Sequence, residues 1–321
     1  MDKITVVVLA HPAEPQLAML EALPPDTGIA VGNTPEAFER AAPEASIIFN
    51  WSGSGTLVRD VLQMCPTVRW VHCRAAGLDD LLSPELVQHP APLTNGSGVF
   101  SPPLGEFVLG AVIYFAKDFR RLIRNQTAGI WEPFDIDAVA GRTAGIVGYG
   151  DIGRAVATRL KAIGMNILAL RRSVPKEPGP LVSRYYAPDG LAEMIPQCDY
   201  VVVTAPLTPE TRGMIGAREF ARMKPGAVVI NVGRGAVIDE PAMIQALAEK
   251  RILGAALDVF TAEPLPQSHP FFKLENVLLS PHSTDHTRDW LERAMQFFLD
   301  QFARFAKGEP LLNVVDKRRG Y

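Results

Sequence analysis

Residues 143–154 read Thr-Ala-Gly-Ile-Val-Gly-Tyr-Gly-Asp-Ile-Gly-Arg and decide the fold of the segment around them. A short apolar run at 144–147 leads into the pattern G-x-G-x-x-G, whose glycines are Gly148, Gly150 and Gly153. Apolar residues then recur every three or four positions from 152 to 163, which is helical spacing. A second apolar run at 166–170 completes a strand–turn–helix–strand unit of about 30 residues.

In this context the glycines predict a dinucleotide site. Gly148 allows the tight turn, Gly150 lets a pyrophosphate approach the backbone, and Gly153 lets the helix pack closely on the strand. The free N–H groups at the start of the helix then face the anion. A structural turn without a ligand is the alternative, but the strand and the helix supply the setting that the motif requires.

The end of the second strand bears on which dinucleotide is bound. An NAD site usually has an acidic residue there for the ribose hydroxyls. This chain has Arg171, Arg172 and Ser173 instead. Two guanidiniums and a hydroxyl suit a 2′-phosphate, so we predict NADP(H) as the preferred cofactor, with NAD(H) possible. The alternative is a pair of solvated surface arginines.

Size and composition indicate an ordinary globular protein. The chain has 321 residues, enough for two domains with separate cores, and 47% of them are hydrophobic. Its net charge of −3 gives no support to a nucleic-acid or membrane partner. No stretch is long enough to span a membrane, and we predict no metal site. The scattered Cys65, Cys73 and Cys198 favour a reducing cytoplasm.

Short apolar runs alternate with helical segments along most of the chain, which predicts parallel α/β sheets. In the first hundred residues we expect strands at 4–9, 45–50 and 68–73, with helices at 35–42 and 55–64. After the glycine-rich unit we expect strands at 199–204, 227–232, 255–260 and 276–280, and a helix at 241–249 capped by Asp239.

Two long helices could join the two parts of the chain. One would begin after Ser101 as its N-cap and end in the basic run at 117–124. The segment 125–140 then breaks the pattern and contains Trp131, so it could be an arm or an interface loop. The other helix, at about 287–307, could return the chain to the first domain.

Three polar residues follow successive predicted strands of the second sheet: Arg234, Glu263 and His282. Because parallel strands end at one edge of a sheet, these side chains should converge beside the glycine-rich turn. An arginine can hold a carboxylate and polarise the neighbouring carbonyl, and a histidine can deliver a proton. A carboxylate beside that histidine favours its protonated form. Each residue alone could be structural, but the set favours reduction of a carbonyl.

At this point the chain resembles the D-isomer-specific 2-hydroxyacid dehydrogenase family. The resemblance covers nearly the whole chain and is strongest between 143 and 282. The matching stretches are residues 145–153 (GIVGYGDIG), 205–211 (APLTPET), 231–236 (NVGRGA), 257–260 (LDVF), 263–266 (EPLP) and 276–282 (NVLLSPH), with 76–79 (AGLD) and 99–101 (VFS) before them.

The resemblance implies two doubly wound parallel-sheet domains. A flavodoxin-like substrate domain would comprise residues 1–99 and 286–321, and a Rossmann cofactor domain, residues 100–285, would be inserted into it. Family members are usually homodimers through the cofactor domain and the arm around Trp131.

The resemblance also implies the roles of particular residues. Arg234 would hold the substrate carboxylate, His282 would be the acid/base and Glu263 its partner. Substrate binding would involve Trp51, Ser52, Ala76, Gly77, Arg234 and His282. Cofactor binding would involve Gly148, Tyr149, Gly150, Asp151, Ile152, Gly153, Arg171, Arg172, Ser173, Ala205, Pro206, Thr211, Val232, Gly233 and Asp258, with Asp258 at the nicotinamide end.

Some residues depart from the family pattern. Asp285 and His286 stand where relatives often have a small pair, which affects the floor of the substrate pocket. Arg171, Arg172 and Ser173 are similar to the NADPH-preferring glyoxylate/hydroxypyruvate reductase branch. Glu263 argues against formate dehydrogenase activity, and the expected absence of a domain after residue 321 argues against a long phosphoglycerate dehydrogenase.

The leading hypothesis is therefore an NADPH-dependent reductase of a small 2-keto acid, glyoxylate or hydroxypyruvate, to the D-2-hydroxy acid. Two alternatives remain open. Trp51 and Phe100 could form a larger apolar pocket for phenylpyruvate-type acids. The chain could also be a dinucleotide-sensing binding protein that retains the site, as some relatives of this fold are.

Overall fold

The computed structural model describes residues 3–175, 177 and 179–320. The chain divides into two compact units, one of Met1–Phe100 with Arg288–Tyr321 and the other of Ser101–Thr287. The predicted boundaries at 99/100 and 285/286 differ from these by one and two residues. The assignment of substrate to the first unit and of cofactor to the second stays a prediction.

The first unit contains a five-stranded parallel sheet in the order β2-β1-β3-β4-β5. Strands β1 and β3 are buried throughout, because helices cover both faces of such a sheet and the strands read as continuous apolar runs. The strand order is that of flavodoxin-like folds. Its strands are β1 (Thr5–Leu9), β2 (Gly28–Gly32), β3 (Ile47–Asn50), β4 (Trp70–Cys73) and β5 (Leu93–Asn95).

Helices α1 (Gly55–Met64) and α2 (Pro84–Gln88) belong to this unit. Ser54 caps α1 by accepting the N–H of Leu57 at 3.1 Å. The helix predicted at 35–42 is wrong, since only the short 3-10 turns Pro35–Phe38 and Ala42–Glu44 form there. Pro43 disfavours the α conformation for Ala42, which ends any helix at that point.

The C-terminal helix α9 (Trp290–Ala306) lies in the first unit, as predicted. The ring of Phe298 stacks on that of Phe49 in β3, with centroids 3.8 Å apart. Gln301 is fully buried and exchanges two hydrogen bonds with the backbone of Leu312, of 2.6 and 3.0 Å. The tail is thereby fixed, and Val314 bridges to Thr94 of β5.

The second unit contains a seven-stranded parallel sheet in the order β12-β11-β10-β9-β6-β7-β8. The strand order reverses between β6 and β9, which is where doubly wound sheets bind ligands. The predicted fold class is confirmed. The strands are β6 (Thr143–Val147), β7 (Asn166–Leu170), β8 (Arg184–Tyr186), β9 (Tyr200–Val203), β10 (Val228–Asn231), β11 (Gly254–Leu257) and β12 (Val277–Leu279).

The helix predicted from Ser101 through the basic run is wrong, because it is two helices. Asp118 has a φ of 45°, a left-handed conformation that ends the first helix, and its carboxylate then caps the second at the N–H of Arg121. Ser101 is the first helical residue rather than the cap. The two helices are α3 (Ser101–Ala116) and α4 (Phe119–Ala128).

The remaining helices of the second unit follow strands of its sheet. They are α5 (Asp151–Ala162), α6 (Leu191–Met194), α7 (Ala217–Arg222) and α8 (Glu240–Ala248). Asp239 caps α8 at the N–H of Ala242, 3.0 Å away, as predicted. Within the part of the chain that the structure describes, no helix combines the length and apolar character needed to cross a membrane.

Candidate active site

The glycine-rich turn joins β6 to α5 at the carboxyl edge of the second sheet. Gly148 has a φ of +96°, and a Cβ there would lie 2.6 Å from the backbone of Ala205. A Cβ at Gly153 would lie 2.5 Å from the carbonyl oxygen of Gly148, whereas one at Gly150 would have nothing within 4 Å. Gly150 begins α5 without a side chain to cap its free N–H groups. These residues fit a dinucleotide pyrophosphate.

The other residues predicted in this turn differ in their surroundings. The rings of Tyr149 and Tyr185 meet edge-on at 5.5 Å. Burial, and secondarily the neighbouring Tyr185, raises the pKa of Tyr149 to about 12, so the phenol is neutral. Asp151 pairs with Arg154 at 2.5 Å, which offsets a negative charge beside the anion site. Ile152 is half-buried in the first turn of α5.

Arg171 directly follows β7, whose end is adjacent to the glycine-rich turn. The N–H of Gly148 donates to the carbonyl oxygen of Leu170 at 3.0 Å, so the two strand ends are neighbours. The guanidinium carbon of Arg171 lies 6.0 Å from the centroid of the Tyr185 ring. Arg172 and Ser173 are exposed. The ribose end of a dinucleotide lies at this strand end in such folds, and contact of Arg171 or Arg172 with it stays a prediction.

The loop after β9 borders the glycine-rich turn from the other side. The hydroxyl of Thr204 donates to the carbonyl oxygen of Gly148. The hydroxyl of Thr211 donates to the carbonyl oxygen of Pro206 at 2.7 Å and accepts the N–H of Thr208 at 2.8 Å. Thr211 therefore shapes the loop of Ala205 and Pro206, and a direct contact of any of the three with the cofactor stays a prediction.

Arg234 follows β10 in a turn braced by Asn231, which is 1% exposed. The Asn231 side chain accepts the N–H of Gly233 at 3.0 Å and donates to the carbonyl oxygen of Arg234 at 3.1 Å. The guanidinium of Arg234 donates to the carbonyl oxygen of Gly233 at 2.8 Å. A Cβ at Gly233 would lie 2.8 Å from the carbonyl oxygen of Ala205, so this turn, with Val232, adjoins the β9 loop.

Glu263 and His282 form a hydrogen-bonded pair, with Oε2 of the glutamate 2.7 Å from Nδ1 of the histidine. Oε1 of Glu263 accepts the N–H of Phe260 at 2.8 Å, which fixes the carboxylate. An ionised carboxylate only accepts, so Nδ1 carries the hydrogen and Nε2 remains for a ligand. A Cβ at Gly235 would lie 2.0 Å from the backbone of Phe260, so the Arg234 turn packs directly on the Glu263 loop.

Asp258 follows β11 and is 2% exposed. Its carboxylate accepts the N–H groups of Ser283 and Thr284 and the hydroxyl of Thr284. The structure thus places this predicted cofactor residue against the loop that carries His282. Cofactor contact by Asp258 stays a prediction.

Asp285 and His286, which depart from the family pattern, lie in the same loop. Among the described residues, Oδ1 of Asp285 is buried without a hydrogen-bond partner, and Nε2 of His286 lies 3.7 Å from it. Burial raises the pKa of Asp285; the charge on His286 opposes this shift, and that on Asp258 adds to it. An acid in this setting favours the neutral form more than an exposed aspartate does.

The predicted substrate residues of the first unit follow β3 and β4. Trp51 is 2% exposed, and its indole N–H has no hydrogen-bond partner among the described residues. Ser52 is exposed. The backbone N–H groups of Ala76 and Gly77 make no hydrogen bond within the described part of the chain, which leaves them for an anion. The carbonyl oxygen of Ala76 is fixed by Asn95 at 2.6 Å.

Several residues at these strand ends escaped the sequence analysis. Arg74 lies between the indoles of Trp51 and Trp290, 4.8 and 5.1 Å from their centroids. Asn231 lies inside a quoted motif, yet its bracing role depends on the turn it supports. Thr284 follows His282 by two positions, which was the only signal for it.

Among the described residues, no group of three or more His, Cys, Asp or Glu could hold a metal ion.

Comparison with known proteins agrees with this fold. The family model described as "D-isomer specific 2-hydroxyacid dehydrogenase, NAD binding domain" matches residues 109–284. A glyoxylate reductase of Korarchaeum cryptofilum is 35% identical over 80% of this chain and 79% of its own length. A D-3-phosphoglycerate dehydrogenase of Methanocaldococcus jannaschii is 30% identical over 98% of this chain, which spans 60% of that relative.

A solved structure has the same fold over nearly the whole chain. It is an NADPH-dependent glyoxylate/hydroxypyruvate reductase of Sinorhizobium meliloti in complex with NADP and sulfate. It is 28% identical, superposes with a TM-score of 0.86, and the match covers 99% of this chain and all of that one.

Together with these relatives, the two parallel sheets and the glycine-rich turn identify an NAD(P)-dependent oxidoreductase. The chain belongs to the D-isomer specific 2-hydroxyacid dehydrogenase family. The predictions of family and of enzyme class are confirmed, as is the use of a nicotinamide dinucleotide.

Proposed function

We propose that this protein reduces a small 2-keto acid, glyoxylate or hydroxypyruvate, to the D-2-hydroxy acid with NADPH. The observation that carries the proposal is the 2.7 Å hydrogen bond between Glu263 and His282. Glu263 follows the strand next to that of the Arg234 turn, and His282 follows the strand after it. A proton donor and a carboxylate-binding cation are what carbonyl reduction of a keto acid requires.

In the proposed mechanism, Arg234 binds the substrate carboxylate. Arg234 also polarises the carbonyl next to it. The N–H groups of Ala76 and Gly77 stay predicted anion-binding groups of the first unit. Bound NADPH supplies the hydride. Glu263 holds Nδ1 of His282, so that Nε2 donates its proton to the carbonyl oxygen. In the reverse direction Nε2 accepts that proton.

The preference for small substrates is supported by the burial of the two aromatic residues that could form a larger pocket. Trp51 is 2% exposed and Phe100 6% exposed. One face of the Trp51 indole is occupied by Arg74, and the ring of Phe100 meets Trp290 edge-on at 6.2 Å. Little apolar surface therefore remains on either ring for the side chain of a phenylpyruvate-type acid.

The direct test is oxidation of NADPH and of NADH, followed by absorbance, with glyoxylate, hydroxypyruvate, pyruvate and phenylpyruvate. We expect the highest kcat/KM with NADPH and glyoxylate or hydroxypyruvate. Fastest turnover of phenylpyruvate would favour the larger substrate class. Tight dinucleotide binding without turnover of any acid would favour a sensing protein.

Preference for NADPH is proposed to rest on Arg171 and Arg172. Replacing both by alanine should raise the Kd of NADPH about tenfold to hundredfold, since charge-assisted hydrogen bonds to the 2′-phosphate are lost. The Kd of NADH should barely change, because NADH lacks that phosphate. Titration of cofactor fluorescence measures both constants.

The matched control is Arg184→Ala, which removes an exposed arginine of β8 that pairs with Glu193. It should leave both constants near their wild-type values. Equal losses for NADPH and NADH in the double variant would show that Arg171 and Arg172 do not read the phosphate.

The protein is further proposed to be a homodimer through α4 and the segment after it. Trp131 is 99% exposed, and five more large apolar residues nearby in sequence are exposed. Exposed apolar surface of this extent is typical of an interface. The five are Phe119, Leu122, Ile123, Ile130 and Ile136.

We expect Trp131→Glu to shift the protein from dimer to monomer, since a buried unpaired charge opposes association. Light scattering after size exclusion gives the mass directly. Phe272→Glu, at an exposed phenylalanine of the same unit outside this segment, should remain a dimer. A Trp131→Glu dimer would exclude this interface.

The proposed location is the cytoplasm. The support is chemical: Cys65, Cys73 and Cys198 are all free and buried, as suits a reducing compartment.

A further inference from the structure

His282 has a backbone conformation that non-glycine residues rarely adopt. Its φ is 53°, in the left-handed region. Such a residue persists only where the surrounding structure holds it there, because the left-handed region is unfavourable for a side chain with a Cβ. The contacts that hold the backbone of His282 therefore decide where its imidazole lies.

Those contacts converge on one buried carboxylate. Oδ1 of Asp258 accepts the N–H of Ser283 at 3.0 Å and that of Thr284 at 3.3 Å. Oδ2 accepts the hydroxyl of Thr284 at 2.7 Å. Two successive N–H groups after a left-handed residue form an anion-binding concavity, and here the anion is the protein's own aspartate.

The position of Asp258 is fixed independently of this loop. It directly follows β11, which pairs with β12 in the register Leu257–Leu279, and its own N–H donates to the carbonyl oxygen of Asn231 in β10 at 3.0 Å. The carboxylate is thus attached to the rigid part of the sheet. The loop carrying His282 is the part that would move if its hydrogen bonds were lost.

Thr284 makes two of the three hydrogen bonds to Asp258 and the only one to Oδ2 among the described residues. Its hydroxyl is the one side-chain donor in the set, so it can be removed without altering the backbone. Without that hydroxyl, a buried carboxylate oxygen would lack a donor, which is costly.

We propose that Thr284 is a positioning residue for His282, acting through the carboxylate of Asp258. This inference rests on the proposed function of His282 as proton donor. The hydroxyl of Thr284 keeps the N–H groups of Ser283 and Thr284 hydrogen-bonded to the Asp258 carboxylate. Those hydrogen bonds hold the backbone of His282 in the left-handed region. The hydrogen bond from Glu263 fixes the orientation of the His282 ring, whereas Thr284 fixes the position of the backbone that carries the ring.

The test compares Thr284→Val, which keeps the shape and loses the hydroxyl, with Thr284→Ser, which keeps the hydroxyl. With NADPH and glyoxylate, kcat of the valine variant should fall about tenfold to hundredfold, the loss expected from a proton donor displaced by about 1 Å. KM for glyoxylate and Kd for NADPH should change little, because Thr284 has no binding role in this proposal. Serine should restore most of the lost kcat.

A second readout does not depend on turnover. The chain has 6 histidines, so the imidazole signals can be assigned by single substitution in a nitrogen–proton NMR spectrum. The His282 signals should shift or broaden in Thr284→Val and return in Thr284→Ser, while those of His269 and His72 stay in place. If the valine variant does not fold, Thr284→Ala serves in both experiments.

The outcomes separate the two proposals. Wild-type kcat and unchanged His282 signals in Thr284→Val would overturn the positioning role, whether or not the enzyme reduces keto acids. Equal loss of kcat in the serine and valine variants would also overturn it, since the hydroxyl that serine retains would then have no effect on turnover. An inactive wild-type protein whose His282 signals move as expected would refute the proposed function and leave the positioning inference standing.

Discussion

Replacing His282 by alanine is expected to lower kcat for glyoxylate reduction with NADPH by about two to four orders of magnitude. The reason is that, among the described residues, the imidazole is the only titratable group hydrogen-bonded to Glu263, and alanine leaves no proton donor in its place. Binding of NADPH should be unchanged, because the glycine-rich turn lies on the opposite side of β10. Steady-state kinetics and a fluorescence titration of NADPH measure the two quantities.

The matched control is His89→Gln. His89 precedes β5 and therefore lies at the amino edge of its sheet, away from the strand ends that bind ligands. The kcat of the His89→Gln variant should equal that of the wild type. Full turnover in His282→Ala would exclude the histidine as proton donor. A parallel loss of NADPH binding would mean that the loop, rather than the imidazole, had been damaged.

Replacing Arg234 by methionine should lower kcat/KM for glyoxylate by about two to three orders of magnitude. The guanidinium is proposed both to hold the carboxylate and to polarise the carbonyl, so KM should rise and kcat should fall together. Arg234→Lys keeps the charge and loses the planar fork, and it should recover only part of the loss. Kinetics with a saturating concentration of NADPH separate the two constants.

Arg218→Met controls for the loss of a cation from the same unit, since Arg218 is exposed in α7. It should behave as the wild type. If Arg234→Met changed KM alone, the arginine would bind substrate without polarising the carbonyl. If neither constant changed, the substrate carboxylate would be held by groups other than Arg234.

Local errors in the predicted fold have local physical causes. Only short 3-10 turns form where a helix was expected at 35–42, and Pro43 disfavours the α conformation for Ala42. The helix expected from Ser101 to the end of the basic segment is interrupted by Asp118, whose backbone is left-handed. Aspartate is one of the few residues other than glycine that adopt this conformation. Strands β2 and β5 were missed because one begins and ends with glycine and the other has three residues.

In the candidate site, too, the sequence predicted some features and missed others. The spacing of Gly148, Gly150 and Gly153 predicted the turn, because the tight turn, the approach of a pyrophosphate and the packing of the helix each require a glycine at a set position. The sequence also predicted that Arg234, Glu263 and His282 converge, because each follows a strand and parallel strands end at the same edge of the sheet. The hydrogen bond between Glu263 and His282 joins two of these residues at that edge.

By itself, then, the sequence determined two parallel sheets, the glycine-rich turn between β6 and α5, and the order in which charged residues follow the strands. These are properties of short segments, set by side-chain period and turn chemistry. Only the tertiary structure decided that Asp258 binds the loop of His282, that His282 is left-handed, and that Arg74 lies between Trp51 and Trp290. Those contacts join residues from separate loops, and their partners depend on how the strands and helices pack, which no local pattern encodes.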